Sequence, residues 1–386
     1  MKRKILFITP SLRQGGVEHS LVTNLRLLNP EKNDITLYLY QDMLELLPEI
    51  PDYVKVIIGV DNTKYFRKPY CVLCLLCYYF LNFFRLTNAG SKVQSKMYAY
   101  IHRKKVEYPY KNYFKNDFFH TVVSHSLHIG TEMGLLIPAK KHCVFMRSSD
   151  PNYHRKTAER TFDKYNVIVC VSSGVKSVMS EAFPKYAEKM IVLENYVDAD
   201  RVIKLADKEK PIIKESNFIF STCGRLSHEK GFDLAVEAAA ILNNQNIDFH
   251  WYFIGDGDEC LRIEESIKNQ RLQDRITITG FVENPFPYIK CCDIYVQPSY
   301  EESYGRTIKE ALILGKPIVS TDTVGARTVL RNGKYGQLVP ITSQGIANGI
   351  LEILKDKKEA TEKYSLKINQ DEKAEFIASF EKLLDD

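Results

Sequence analysis

Apolar runs recur along the chain, spaced so that a helix fits between each and the next. Residues 4–9 (KILFIT), 34–40 (DITLYLY), 54–60 (VKVIIGV), 121–126 (TVVSHS), 143–147 (CVFMR) and 167–172 (VIVCVS) read as strands. A second series follows at 218–226 (FIFSTCGRL), 248–259 (DFHWYFIGDGDE, strand then loop), 275–282, 292–299 and 316–322. Between them lie helical patterns, as in 18–28 and in FDLAVEAAAILN at 232–243. Continuous rather than alternating apolar runs suit strands buried on both faces, and intervening helices make such sheets parallel. The expected class is α/β, with two doubly wound domains.

The pattern restarts after residue 200, with a boundary near 197–211, so the expected domains are 1–200 and 201–370. Residues 371–386 form an amphipathic helix with no strand after it, expected to pack back on the first domain. Two doubly wound domains facing a central cleft would present to it the loops at the carboxyl ends of their strands, where ligands of such sheets bind.

Charge adds one feature. The 386 residues carry a net +5, and the excess is local. Residues 53–116 hold 12 basic and 2 acidic side chains, marking a basic, apolar insert at about 62–116. Such an excess points to an anionic partner surface. Within it, RKPYCVLCLLCYYFLNFFR (67–85) places Cys71, Cys74 and Cys77 in an apolar run. A metal run would want a fourth nearby cysteine, and position 81 is Leu. Packing or membrane contact fits the neighbours better. Residues 70–84 would span roughly 22 Å as a helix at ~1.5 Å per residue, short of a bilayer core of ~30 Å. Flanked by Arg67, Lys68, Arg85 and HRKK at 102–105, the run suits an interfacial helix on anionic lipid. An ordinary, partly buried helix fits it too. The basic stretch shows no nucleic-acid recognition motif. The opening MKRKILFITPSL is too short in apolar residues for a secretory signal, and nine cysteines are expected as reduced thiols in the cytoplasm.

Four stretches carry candidate chemistry. CGRLSHEKGFD (223–233) sets Gly224, Arg225 and Lys230 in a turn where two cations could converge on a diphosphate. Two solvated basic side chains would read the same. RQGGVEHS (13–20) puts Gly15 and Gly16 before a helix start, suited to a phosphate but without dinucleotide-fingerprint spacing. GDGDE (255–259) is ordinary turn chemistry as much as a ligand loop. SYEESYGRTIKEALILGKP (299–317) places Glu302 before a helix start and Glu310 two turns inside it. The helix start favours negative charge, and a carboxylate can accept from a vicinal diol. A nucleotide-sugar could lie across that helix end, its diphosphate at the amides of Ser303, Tyr304, Gly305 and Arg306, its sugar toward Glu302 and its ribose toward Glu310.

Taken together, the motifs resemble retaining glycosyltransferases of the GT-B fold, specifically glycosyltransferase family four (group 1). The resemblance covers nearly the whole chain and is strongest over 218–340. Residues 298–322 look like the family's E-x7-E signature, with Glu302 and Glu310 as its acids. GRLSHEKGFD looks like its diphosphate loop, QGGVEHS like its N-terminal Gly-Gly loop, and ENYVD (194–198) like the end of its first domain. GFVEN (280–284) lies where the family cradles the base, which implies donor contacts at Phe281 and Val282. The family's sugar-side histidine is replaced by Arg147, which leaves His125 as the nearest histidine and the pair as acceptor-side or sugar-side candidates. The family's acid after TDxGG is also missing, with Thr328 there and Arg327 beside it.

The resemblance implies two Rossmann-like domains and a retaining, metal-independent hexosyl transfer from a nucleotide-sugar, UDP before GDP, with no cofactor. Glu302, Arg225 and Lys230 would be its catalytic groups. With the basic insert, it implies a lipid-linked or surface-polysaccharide acceptor and a peripheral site on the inner face of the cell membrane. A catalytically degenerate sugar-nucleotide binder or scaffold of the same fold is the alternative.

Overall fold

The computed structural model describes residues 2–59, 103, 106–127, 129–153, 155–211, 213–356, 362 and 371–385. Most of the basic insert, with Cys71, Cys74 and Cys77 and the proposed interfacial helix, lies outside them. No helix among the described residues is long and apolar enough to cross a membrane.

The chain forms two compact units. The first holds a seven-stranded parallel sheet of β1 (Arg3–Thr9), β2 (Asn33–Leu39), β3 (Val54–Ile58), β4 (Phe119–Ser124), β5 (Ala139–Met146), β6 (Val167–Cys170) and β7 (Met190–Val192), in the order β3-β2-β1-β4-β5-β6-β7. The order reverses between β1 and β4. There the chain leaves β1 for helix α1 (Gly16–Leu27), whose cap, Gly15, is extended and lends no side chain. The central strands are buried on both faces: Ile5, Leu6, Phe7 and Ile8 in β1 and Val122 and Val123 in β4 are at most 1% exposed.

The second unit repeats the plan with six parallel strands: β8 (Phe218–Cys223), β9 (Phe249–Ile254), β10 (Ile276–Ile278), β11 (Ile294–Gln297), β12 (Ile318–Thr321) and β13 (Gln337–Val339). Their order is β10-β9-β8-β11-β12-β13. The core between this sheet and its helices is aromatic at its centre. The Phe220 ring meets Trp251 edge-on at 5.6 Å, and Trp251 donates its indole N–H to Thr222 Oγ1 at 3.0 Å. That bond satisfies the one polar atom the indole brings into the core. Four further helices matter below: α2 (Ser173–Ala182), α3 (Phe232–Asn244), α4 (Arg306–Ile313) and α5 (Val324–Val329).

The boundary differs from the expected 200. Residues 171–182 and 194–374 make the second unit, while 183–193 and 375–386 belong with the first. Helix α2 is claimed by packing: a Cβ on Gly174 would sit 2.4 Å from the Val324 side chain, and Ser172 Oγ donates to the Ser303 carbonyl at 2.8 Å. Periodicity reveals an element, not the core it joins.

The last residues of the C-terminal helix α6 (Glu372–Asp385) complete the first unit. Phe376, Phe380, Leu383 and Leu384 are buried, with the Phe380 ring 6.3 Å from Phe7. The helix end is capped by side chains of the first sheet. Lys141 Nζ donates to the Leu383 carbonyl at 2.6 Å and Thr121 Oγ1 to that of Leu384 at 2.9 Å. Arg3 pairs with Glu381 and Asp385. A lysine at a helix C-terminus meets carbonyls that lack intrahelical partners and the negative end of the helix dipole.

Candidate active site

In the second unit the strand order reverses between β8 and β11, the place where doubly wound sheets bind ligands. Their pairing runs through Ile294↔Phe220 and Tyr295↔Ser221. Beyond it the two strands are bridged by a side chain, Thr222 Oγ1 donating to the Val296 carbonyl at 2.8 Å. Gly224 follows β8, and Glu302 follows β11.

One close approach brings the two loops together. After a 3-10 turn (His228–Lys230), Gly231 adopts φ +64 and lies against β11's exit loop, where a Cβ would sit 2.1 Å from the Pro298 carbonyl oxygen. Only glycine fits there. Lys230 is thereby delivered to Glu302, its Nζ donating to Glu302 Oε1 at 2.7 Å. The same oxygen accepts from Gln297 Nε2 at 3.0 Å and Ser299 Oγ at 3.1 Å. Glu302 is buried, and Oε2 has no hydrogen-bond partner among the described residues. Arg225 does not share this cluster. It is exposed, and among the described residues it makes no ion pair.

The loop over Glu302 is fixed from behind. Gly325 N–H donates to the Glu302 carbonyl at 2.7 Å, and a Cβ on Gly325 would lie 2.6 Å from Tyr304 N. Helix α5 can approach this closely because its second residue has no side chain. Tyr304 is buried, and burial pushes its hydroxyl's pKa up, so it stays neutral.

Gly305 begins α4 at φ +84 and lends no side-chain acceptor, which leaves the first-turn amides open to an anion. The next residue, Arg306, is a cation at a helix start, where the dipole disfavours it. It turns along the helix instead and donates Nε to Glu310 Oε1 at 2.9 Å, while its buried Nη1 has no partner among the described residues. Burial raises the Glu310 pKa, and Arg306 pulls it partly back. The two acids of the signature therefore sit differently: Glu302 under three donors, Glu310 buried on one guanidinium.

GDGDE and the end of β9 brace the loop that follows β8. Leu226 N–H donates to the Asp256 carbonyl at 3.0 Å and Gly224 N–H to that of Ile254 at 3.0 Å. Phe281 and Val282 lie past β10, two strands from β8, with Phe281 59% exposed. Arg327 forms a bidentate pair with Asp322 at 2.5 and 2.6 Å, so it is held in its own domain.

In the first unit, His125 follows β4 and is fully buried. Arg147 donates Nη2 to His125 Nε2 at 2.5 Å and Nε to the His125 carbonyl at 2.9 Å. Burial first, then the Arg147 charge, push the imidazole's pKa well down, so the ring is neutral. The donating arginine makes Nε2 the acceptor and leaves the proton on Nδ1, which has no partner among the described residues. Gly15 and Gly16 open α1; a Cβ on Gly15 would press on the Glu18 carboxylate, and one on Gly16 would meet nothing within 4 Å.

Residues 203–370 match the family model for glycosyl transferases, group 1. The second unit is a group 1 glycosyl transferase domain. The Glu302 and Lys230 cluster belongs to this group 1 domain. The 2-deoxystreptamine N-acetyl-D-glucosaminyltransferase of Niallia circulans is 34% identical over 134 residues, 34% of this chain and 34% of its own. The lipopolysaccharide core biosynthesis glycosyltransferase LpsE of Rhizobium meliloti (strain 1021) is 26% identical over 196 residues, 50% of this chain and 56% of its own. The chain thus spans about a third to just over half the length of these relatives. The structure of Anabaena Alr3699/HepE in complex with UDP and glucose matches with a TM-score of 0.65 at 18% identity, covering 99% of this chain and 98% of that one. At that identity the likeness shows the fold alone, which is GT-B, two Rossmann-like units in one chain.

The sequence reading missed Gln297 and Ser299, which donate to Glu302, and Thr307, which donates to Gln297. Gln297 and Ser299 flank Pro298, and nothing in their type or spacing marks them as site residues.

Proposed function

We propose that the chain is a retaining, metal-independent glycosyltransferase. It would move a hexose from a nucleotide-diphosphate sugar, most simply a UDP-sugar, to a lipid-linked or surface-polysaccharide acceptor. The observation that carries this reading is the cluster of Lys230 on Glu302 at the strand-order reversal, beside the open first turn of α4. The group 1 family match, the UDP and glucose bound by Alr3699/HepE, and the lipopolysaccharide role in LpsE's name all support it.

In the front-face route, the acceptor hydroxyl oxygen bonds to the anomeric carbon on the face from which the diphosphate leaves. The breaking C–O bond gives its electron pair to the diphosphate, and the acceptor proton passes to a departing phosphate oxygen. Charge therefore grows on the diphosphate. Lys230, Arg225 and the amides of Ser303 to Arg306 are the groups that would meet it, in place of a divalent metal. Glu302 would hold the sugar through Oε2 and Glu310 the ribose.

The acceptor and the anionic membrane surface rest on the charge excess of residues 53–116. Vesicle flotation with anionic lipid tests that part, and no binding would remove it. A catalytically degenerate sugar-nucleotide binder is the second reading, favoured by the full burial of His125, which its pairing with Arg147 closes off. Donor turnover separates the two.

The deciding experiment is the thermal stability of the chain with millimolar UDP, GDP or ADP, repeated in Arg225→Ala/Lys230→Ala. A ligand at about 100 times its Kd adds about 2.7 kcal/mol. A shift with UDP that the double variant loses supports the reading. No shift with any nucleotide opposes it. Undiminished turnover in EDTA is expected, and its loss would overturn metal independence.

A further inference from the structure

We propose that Gln297 is a positioning residue that aims Glu302; the inference rests on the glycosyl-transfer reading above. Gln297 ends β11 and is 1% exposed. Its carboxamide offers two donors and two acceptor sites, and all four are taken. Nε2 donates to Glu302 Oε1 at 3.0 Å and to Ser299 Oγ at 2.8 Å. Oε1 accepts from Tyr295 OH at 2.9 Å and from Thr307 Oγ1 at 2.9 Å. Ser299, accepting from the amide, donates its own O–H to Glu302 Oε1 at 3.1 Å.

This network admits one orientation of the amide. Rotated by half a turn, it would set its carbonyl oxygen against the Glu302 carboxylate. The network also explains the asymmetry of Glu302. Lys230, Gln297 and Ser299 all converge on Oε1, so Oε2 is the oxygen presented to a ligand. Lys230 alone could not set this, because a flexible ammonium can swing with its partner, whereas a buried amide held at four points cannot.

Gln297 also joins the separate motifs. Thr307 lies in the first turn of α4, the helix that carries Glu310. Tyr295 OH accepts from the Cys223 N–H at 3.4 Å, one residue before Gly224, and burial keeps this phenol protonated. One side chain thus ties the Glu302 loop to the helix start, and through Tyr295 it touches the end of β8.

The test uses the full chain with Gln297→Met, of similar length but without the hydrogen bonds, and Gln297→Glu. UDP release from UDP-glucose and UDP-N-acetylglucosamine is followed against pH, with UDP affinity measured by calorimetry. Gln297→Met is expected to lose roughly 10- to 100-fold in kcat, the usual range for a lost supporting contact, with UDP affinity within about twofold of wild type. Gln297→Glu places two carboxyls about 3 Å apart, close enough to share a proton. Its activity is expected to recover as pH falls, when the introduced carboxyl takes up a proton and again donates to Glu302. A residue with only a packing role would lower stability and UDP affinity together, without that acid recovery. Wild-type kcat in Gln297→Met, or a wild-type pH profile in Gln297→Glu, overturns the proposal.

If wild type releases UDP from neither donor, the glycosyl-transfer reading fails, and the stability of Gln297→Glu decides the geometry by itself. A carboxyl facing Glu302 makes that variant lose stability relative to wild type as pH rises from about 5 to 8. A flat difference overturns the placement.

Discussion

Lys230 Nζ lies 2.7 Å from Glu302 Oε1, so the cation expected at the diphosphate and the acid expected at the sugar hold each other. Lys230 keeps about a quarter of its side chain exposed, whereas Glu302 is nearly closed off. Lysine can therefore turn toward an incoming phosphate while Gln297 and Ser299 retain the carboxylate. Lys230→Ala is expected to lower kcat by about 10²- to 10³-fold, the range for losing one charge-stabilising contact. The fold should persist, since two donors remain on Glu302. Steady-state UDP release with a melting curve of the same sample checks both halves. A variant with full turnover would remove Lys230 from the reaction.

Glu310 makes a second prediction, from pH. Burial raises its folded pKa above the unfolded value, with Arg306 pulling the other way. A raised carboxyl pKa favours the protonated form in the folded state. Its stabilising effect is full below the unfolded pKa and fades as pH rises through the folded one. Glu310→Gln keeps an acceptor for Arg306 and does not ionise. The variant should thus gain on wild type between about pH 4 and 8 in urea unfolding, while UDP affinity falls about tenfold through loss of a charged acceptor, worth about 1.5–3 kcal/mol. A constant stability difference across that range would oppose the burial argument.

The glycines separate fold from function. Gly231→Ala forces a side chain into a left-handed conformation and against the Pro298 carbonyl. The conformation alone costs about 1–3 kcal/mol, and the contact adds to it. Gly16→Ala meets open space at a helix start and is expected to be neutral or stabilising by up to about 1 kcal/mol. Urea midpoints of the two variants should move in opposite directions or differ by at least that sum.

Much of this could be read before any coordinates. The strands among the described residues follow apolar runs wherever these are long enough, and the order of motifs placed Lys230, Glu302 and Glu310 in one unit. Two short edge strands escaped, Met190–Val192 and Gln337–Val339, of three residues each; Ile276–Ile278 is as short but lies in the longer apolar pattern of 275–282. The pairing of Arg147 with His125 was equally out of reach, because it joins the ends of neighbouring strands 22 residues apart. Gln297 was hidden for a different reason. A glutamine at the end of an apolar run looks like a strand reaching solvent, and only the fold reveals that it ends under a carboxylate.

The terminal helix supplies a fourth prediction. Removing residues 372–386 strips Phe376, Phe380, Leu383 and Leu384 from the first unit, each worth about 1.5–3 kcal/mol when fully buried. It also strands the Lys141 ammonium without its carbonyl. The truncated chain should aggregate or melt well below the parent, and Lys141→Met should recover part of the loss. Calorimetry of the three proteins is the check, and a truncated chain with the parent's melting temperature would contradict the packing.

Arg3 leaves the ribosome well before its partners Glu381 and Asp385. The first sheet can pair its strands early, but the hydrophobic face that receives Phe380 and Leu384 stays bare until those residues have been made. Residues 194–374 emerge in the meantime and can close their own core first. Folding during synthesis would then run against the order of the chain, with the earlier unit finishing last. A newborn chain in that interval exposes a sticky surface, and it is there that a holding chaperone would have most to do.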